Sequence, residues 1–263
     1  MKVFLKKRYN KKKISGREKM AKVFKKAVLA ISVITISLFF LHLYQTISGL
    51  EIFKVREIEI KGNYHLSQES LLNMTDIKRD SILKISLNDL RTKILKSPWI
   101  KDAVAKREIP GTIRIEIKER FPEAIIDYGD SFYLVDGEGV IIERVSDRKG
   151  YSLPVVSGID LSENRLGERI NSKGLSEGLT LIKFLRDKGI GLNDIELVAN
   201  NPEDLILNLP GKQIKVGSGN YKEKFNRLDD IEAELKRKGV LASSIDIRFS
   251  GKVIVIPMAE SNL

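Results

Sequence analysis

Residues 99–122 read WIKDAVAKREIPGTIRIEIKERFP, and their pattern decides what fold must surround them. Ile113, Ile115 and Ile117 fall on one side of a pleated strand, and Arg114, Glu116 and Lys118 on the other. That two-residue period belongs to a strand with one buried face. Pro110 and Gly111 suit the two central positions of a type II turn, with glycine at the positive-φ position. The stretch is read as a β-hairpin, entered through the chain's only tryptophan, Trp99, directly after Ser97-Pro98.

Upstream, Ser86 is expected to cap a helix with Leu87, Leu90, Ile94 and Leu95 on one face and Asp89 in a capping-box-like position. That helix must stop before Pro98. Trp99 then sits at a helix-to-strand corner, where its ring can cover the end of a small core. Ser67 can cap a shorter helix, SQESLLNM, expected to bury Leu71, Leu72 and Met74. In FKVREIEIKGN (53–63), Ile58 and Ile60 alternate cleanly, but Phe53 and Val55 are out of phase with them. Either a bulge lies near Arg56-Glu57 or only the second half faces the core. The order is strand, helix, helix, strand, strand.

The 263 residues carry 46 Lys/Arg and 35 Asp/Glu, a net charge of +11. Twelve of those bases and one acid, Glu18, lie in residues 1–26, leaving 34 of each sign for the rest. The basicity belongs to a tail, so a nucleic-acid role for the folded part loses its support. Residues 27–47, AVLAISVITISLFFLHLYQTI, contain no charged side chain. At 1.5 Å per residue they span about 31 Å, enough to cross a bilayer core. Tyr44 suits the interface near the far end, and His42 reads as a neutral imidazole there. The apolar run is too long, and Thr46-Ile47-Ser48 too poor a cleavage site, for a removed signal peptide. The positive-inside rule places the tail in the cytoplasm and residues 50–263 across the membrane, with the tail free to lie on anionic lipid.

Beyond Pro122, residues 123–127, 131–135 and 140–142 read as short strands, the last two joined by Asp136-Gly137-Glu138-Gly139. LPVVSG (153–158) follows, then a polar loop to about residue 173. A helix is expected over 175–188 with Leu175, Leu179, Ile182 and Leu185 inward and Gly189 ending it. Ile195–Leu197, Leu205–Leu209 and KQIKVG read as strands, with Pro210-Gly211 as a turn. A helix over 221–238 carries Tyr221, Phe225, Leu228, Ile231 and Leu235 on one side. SIDIRF (244–249) and KVIVIP (252–257) are expected to form a hairpin about a two-residue Ser250-Gly251 loop.

The helix end followed by SPWIKDAVAKREIPGTIRIEIKERFP resembles the closing unit of the POTRA module in the FtsQ/DivIB family of bacterial division proteins. FKVREIEIKGN is similar to that module's first strand. YLVDGEGVI, LPVVSG and IDIRFSGKVIVIP resemble, in order, the family's second, β-rich domain, while residues 159–173 and the tail carry no such likeness. The expected fold is α+β: one N-terminal transmembrane helix, a POTRA domain of order β-α-α-β-β, then a mixed α/β domain ending in a β-hairpin. The corresponding divisions are a tail 1–26, a span 27–49, a POTRA domain 50–121, a second domain 122–257 and a C-terminal tail 258–263.

Candidate catalytic motifs are incomplete. VGSGNYK (216–222) runs strand, Gly-Ser-Gly, helix, but Lys222 replaces the third glycine of the dinucleotide fingerprint and no P-loop lysine motif follows. Ser81-Ile82-Leu83-Lys84 matches the Ser-x-x-Lys of penicillin-binding enzymes without its partner motifs. Asp136 and Glu138 read as turn residues. His65 is the only histidine outside the span, and without cysteines it makes neither a zinc site nor a triad. No catalytic, cofactor or metal residue is expected, and no small-molecule substrate.

The remaining candidate is a surface. KVIVIP is apolar on both faces and ends in Pro257, which sheet edges tolerate. Such an edge strand either accepts a partner's strand or is shielded within the chain. The resemblance implies the first: a divisome scaffold binding FtsB/DivIC-like and FtsL-like proteins through its C-terminal strands. Carried onto this chain, the contact comprises Arg248, Phe249, Ser250, Gly251, Lys252, Val253, Ile254, Val255 and Ile256, with the POTRA domain open to other division proteins. The rival is a POTRA-bearing secretion or outer-membrane assembly component, which requires a C-terminal barrel.

Overall fold

The computed structural model describes residues 16–77 and 80–258; bases Lys2 to Lys13 of the tail and residues 259–263 lie outside them. The chain divides into two compact units. The first comprises the chain up to Glu57 with the segments Lys78–Ile85 and Arg107–Thr112. Its helix α1 (Gly16–Ser48) begins within the basic tail. It is the one helix among the described residues long and apolar enough to cross a membrane. A 3-10 turn, Glu51–Phe53, follows. Beyond it, Lys54 and Ser81 form an antiparallel bridge. The Ile109-Pro110 bond is cis and Gly111 is not at positive φ, so the expected type II turn is absent. Glycine is needed at 111 for space, because a Cβ there would lie 2.8 Å from the Lys54 carbonyl oxygen.

Two sheets follow, the smaller mostly and the larger wholly within the second unit. The smaller has the order β1-β3-β2, from β1 (Glu57–Lys61), β2 (Ile100–Glu108) and β3 (Thr112–Glu119). Ile113, Ile115 and Ile117 are buried as their alternation requires. The upstream strand begins only at Glu57, so its second half alone follows the pattern. Helices α2 (Gln68–Thr75) and α3 (Leu87–Ile94) are capped by Ser67 and Ser86, whose hydroxyls accept from Ser70 N–H and Asp89 N–H. In α2 the buried pair is Leu71 and Thr75, one turn apart, whereas Leu72 and Met74 are exposed. This corrects the expected face: eight residues offer one narrow inward stripe, and i, i+4 spacing sets it. Arg91 ties α3 to β2 through the Ala103 carbonyl (2.8 Å) and Asp102 (2.9 Å).

The larger sheet has nine strands in the order β12-β11-β10-β9-β8-β7-β4-β5-β6. These are β4 (Pro122–Tyr128), β5 (Ser131–Asp136), β6 (Ile141–Val145), β7 (Val155–Ser157), β8 (Glu196–Val198), β9 (Ile206–Leu209), β10 (Lys212–Lys215), β11 (Ala242–Asp246) and β12 (Ile254–Pro257). Helix α4 (Lys173–Asp187) connects the parallel neighbours β7 and β8, and α5 (Tyr221–Lys238) connects the parallel neighbours β10 and β11. Both crossovers step the same way along strands of the same direction, so the right-handed rule puts both helices on one face. They share one core there, with Leu175, Leu179, Ile182 and Leu185 from α4 and Tyr221, Phe225 and Leu228 from α5. Phe184 joins the helices, its ring 5.9 Å from Tyr221 and 5.4 Å from Phe225. Ile231 is only half-buried, because α5 loses cover toward its C-terminal half. Gly174 and Gly178 let α4 approach β8: a Cβ on Gly174 would lie 1.9 Å from the Ala199 carbonyl oxygen.

Strand β4 alternates between two cores. Ala124 and Ile126 enter the helix-side cluster, while Ile125 joins Leu134 and Ile142 on the other face. Trp99 packs on that second cluster, and its indole N–H donates to Glu143 at 3.2 Å. Its place is therefore between the two sheets. Two residues separate β3 from β4, and one of them, Arg120, meets Asp136 at 2.5 Å. Asp136 also accepts the N–H groups of Glu138 and Val140, each at 2.9 Å. It is a turn residue, as expected, and also one half of a buried ion pair. The nine-stranded sheet is open, ending in β6 and β12, so the barrel that the secretion reading requires is not present among the described residues.

Candidate functional site: the free edge of the nine-stranded sheet

The two ends of the sheet are treated differently. At β6, Gly167 donates to the Ile141 carbonyl (2.8 Å), Ile141 donates to the Glu168 carbonyl (3.0 Å), and Arg169 bridges Val140. The chain thus covers part of that edge with its own loop. At the other end, β12 pairs with β11 on one side, and no strand flanks its other side among the described residues.

The ladder sets which groups of β12 face outward. Ile247 donates its N–H to the Lys215 carbonyl at 2.9 Å. Backbone groups alternate along a strand, so Ile245 also turns toward β10 while Ser244 and Asp246 turn toward β12. Their partners are Ile256 and Ile254. Val255, between them, directs its N–H and C=O to the free edge, and Pro257 has no N–H to offer there. The side chains alternate independently: Val253 and Val255 pack on the helix-side core, while Ile254 and Ile256 are 46% and 54% exposed.

The expected two-residue hairpin loop is instead seven residues, Ile247–Val253, with Ser250 and Gly251 forming only its tip. Arg248 fastens the start of this loop. Its guanidinium grips Asp246 (Nη2 to Oδ2, 2.6 Å) and reaches Asp204 (2.7 Å). Burial works against the charge on Asp246, but the hydrogen bonds and charge of Arg248 outweigh it and hold that carboxyl below the usual carboxylate range. Phe249 follows, 42% exposed, with Lys252 Nζ 4.9 Å and Arg248 Cζ 5.4 Å from its ring centroid. Arg227 of α5 donates to its carbonyl at 2.9 Å. The nine expected residues therefore form one loop-and-strand patch in which Val253 and Val255 contribute backbone and Arg248 contributes rigidity. Asp204, Asp246 and Arg227 were not anticipated. The i, i+2 spacing of Asp246 and Arg248 was the available signal for one of these contacts.

The glycine-rich motif is occupied internally, whereas the Ser81 hydroxyl has no hydrogen-bond partner among the described residues. In the Gly-Ser-Gly turn, Glu177 accepts from Gly219 N–H (3.0 Å) and Tyr221 O–H (2.5 Å), taking the place an anion would use. Burial, and then the Glu177 carboxylate, push the Tyr221 phenol above its ordinary range. Lys224 donates to the carbonyls of Val216 (2.9 Å) and Ser218 (2.7 Å). Ser81 is buried.

The model for the POTRA domain, FtsQ-type, matches residues 53–120, and that for the FtsQ/DivIB C-terminal region matches residues 124–248. The chain belongs to the FtsQ/DivIB cell division family. Among relatives of that family, the cell division protein FtsQ of Geotalea daltonii is 29% identical over 219 residues, covering 81% of this chain and 79% of the relative. FtsQ of Geobacter sp. (strain M21) is 27% identical over 219 residues, covering 81% and 80%. The cell division protein DivIB of Clostridium tetani is 28% identical over 209 residues, covering 77% and 79%. Residues 159–173, which resembled nothing by inspection, fall inside the C-terminal match, whereas β12 lies beyond it. With α1, family membership describes a membrane-anchored structural component of the division apparatus.

Proposed function

We propose that the chain is a bitopic divisome scaffold whose β12 edge accepts an extended segment of an FtsB/DivIC-like or FtsL-like partner. The observation that carries this reading is the outward N–H and C=O of Val255, flanked by exposed Ile254 and Ile256, at the edge that no strand flanks among the described residues. Arg248 to Ile256 form the contact. The function is recruitment: holding partners on one membrane-tethered body raises their effective concentration, and no bond is made or broken. The charge asymmetry supports a cytoplasmic N-terminus, with the tail 1–26 on anionic lipid, the span 27–49, the POTRA domain 50–121 and the second domain 122–257 beyond the membrane, and 258–263 as a tail. The POTRA domain offers a separate surface to other division proteins.

The test is Val255→Pro in the full-length chain. Proline removes the outward donor while leaving the Ile254 and Ile256 ladder to β11, and edge strands tolerate it. Co-purification of an FtsB–FtsL-type pair should be lost; retained binding with a native circular-dichroism spectrum overturns the edge as the docking site. Protease added outside spheroplasts should digest the region after residue 50, and full protection overturns the orientation.

A further inference from the structure

We propose that the cleft between α4 and the β5–β6 turn docks an extended acidic peptide segment of a partner protein. The cleft has a volume of about 900 Å³. One wall is the outer face of α4, where Lys173, Ser176, Thr180 and Lys183 recur at helical spacing. The opposite wall is the Gly137-Glu138-Gly139 turn, and Arg169 enters from the loop bridged to Val140.

The charges of the lining do not balance internally. Arg186 is paired with Glu123, and Glu138 is paired with Lys101 (2.7 Å) and Arg120 (3.6 Å). Arg169, Lys173 and Lys183 make no ion pair or side-chain hydrogen bond among the described residues, and Asp187 is the one lining carboxylate in the same condition. Three unpaired cations in a concave wall focus a positive potential where water is partly displaced.

Spacing selects the class of ligand. Lys173 and Lys183 are ten residues apart on one helix, about 15 Å along its axis. A single anion can meet only one end of that span, whereas about five residues of extended peptide cover it. The lining carboxylates of Asp187, Glu123 and Glu138 oppose a densely charged polyphosphate, but separated carboxylates can pass between them. Ser176 and Thr180 add hydroxyls that suit a peptide backbone. The cleft lies toward the β6 end of the sheet, away from β12, so this inference and the strand-accepting edge fail independently.

The experiment uses the full-length chain in neutral detergent and a fluorescein-labelled peptide of about twelve residues alternating glutamate and glycine, bearing a benzophenone. Saturable binding that weakens with salt is expected, with crosslinks within residues 169–187. Reversing Arg169→Glu, Lys173→Glu and Lys183→Glu together should weaken binding about tenfold or more, while Lys222→Glu with Lys236→Glu on α5 should not. Lys173→Gln with Lys183→Gln replaces the reversal if its melting curve shows loss of fold. Crosslinks confined to the basic tail, or equal loss in the α5 variant, would overturn the proposal. So would tighter binding of linear polyphosphate of equal charge, which would assign the cleft to a phosphate polymer instead.

Discussion

The His65 imidazole lies flat on the Trp99 indole, with ring centroids 3.6 Å apart and planes 13° from parallel. His65 comes from the connection between β1 and α2, and the Trp99 side chain also meets the nine-stranded sheet, at the Ile125, Leu134 and Ile142 cluster and the Glu143 carboxylate. One ring therefore joins the small sheet to the large one, reinforced by Glu119, which accepts from the N–H groups of His65 (2.7 Å) and Leu66 (3.0 Å).

Trp99→Ala should lower stability by about 3 kcal/mol, the low end for aromatic truncation, because the indole is only half-buried. His65→Ala should cost about 1 kcal/mol, the scale of a ring-stacking contact. Urea unfolding followed by far-ultraviolet circular dichroism measures both. Equal effects would mean that the tryptophan contributes only through its histidine partner.

The Arg120–Asp136 pair makes a second joint. The Asp136 side chain is 6% exposed and that of Arg120 is 14% exposed. Asp136→Ala leaves a buried guanidinium and two turn N–H groups unpartnered, and should cost about 3 kcal/mol or more. Asp136→Asn can still accept the turn bonds and should cost less. Arg120→Ala combined with Asp136→Ala should be less damaging than the sum of the two singles, a double-mutant cycle read in the same unfolding assay.

What could be read ahead of the structure followed from periodicity and caps. Alternating Ile113, Ile115 and Ile117, the serine caps at 67 and 86, and the glycine stop at 189 are local signals, and each element formed where they placed it. The errors came from tertiary contacts. Leu72 and Met74 are apolar but face outward, because a two-turn helix meets its neighbours along one stripe. The loop at Ser250-Gly251 is longer than the local turn signal implied, and Arg248 within it binds Asp204, forty-four residues away in sequence. The role of Trp99 depends on Glu143, equally distant in sequence. For the candidate site, the edge strand was visible as an apolar run near the C-terminus, but which amides face outward required the β11 register.

Gly174 and Gly178 separate two kinds of close contact. A Cβ at 174 would press on the Ala199 backbone carbonyl, which cannot move without shifting β8, whereas one at 178 would lie 2.9 Å from Leu197 Cδ2, the end of a side chain that can rotate. Gly174→Ala should cost about 3 kcal/mol or more and Gly178→Ala about 1 kcal/mol. Thermal unfolding of the two variants side by side tests the order, and a reversed order would place the rigid contact elsewhere along α4.

Acid should loosen the docking loop before the rest of the sheet. Although burial opposes its ionisation, Asp246 is held below the usual carboxylate range by Arg248. A carboxyl with a folded value below its unfolded one, about 3.9 for aspartate, stabilises fully above that unfolded value. The contribution disappears as pH falls through the lower folded value, because the unfolded chain takes up the proton first. Asp246 anchors Arg248 through its side chain and through the Arg248 N–H at 3.0 Å, so its protonation releases the start of the Ile247–Val253 loop. Hydrogen exchange of residues 247–253 should therefore rise as pH drops below about 4, beyond the intrinsic pH dependence of exchange. Asp246→Asn should already show the faster exchange at neutral pH and respond little to acid. An acid response in that variant as steep as in the parent chain would assign the loosening to a group other than Asp246.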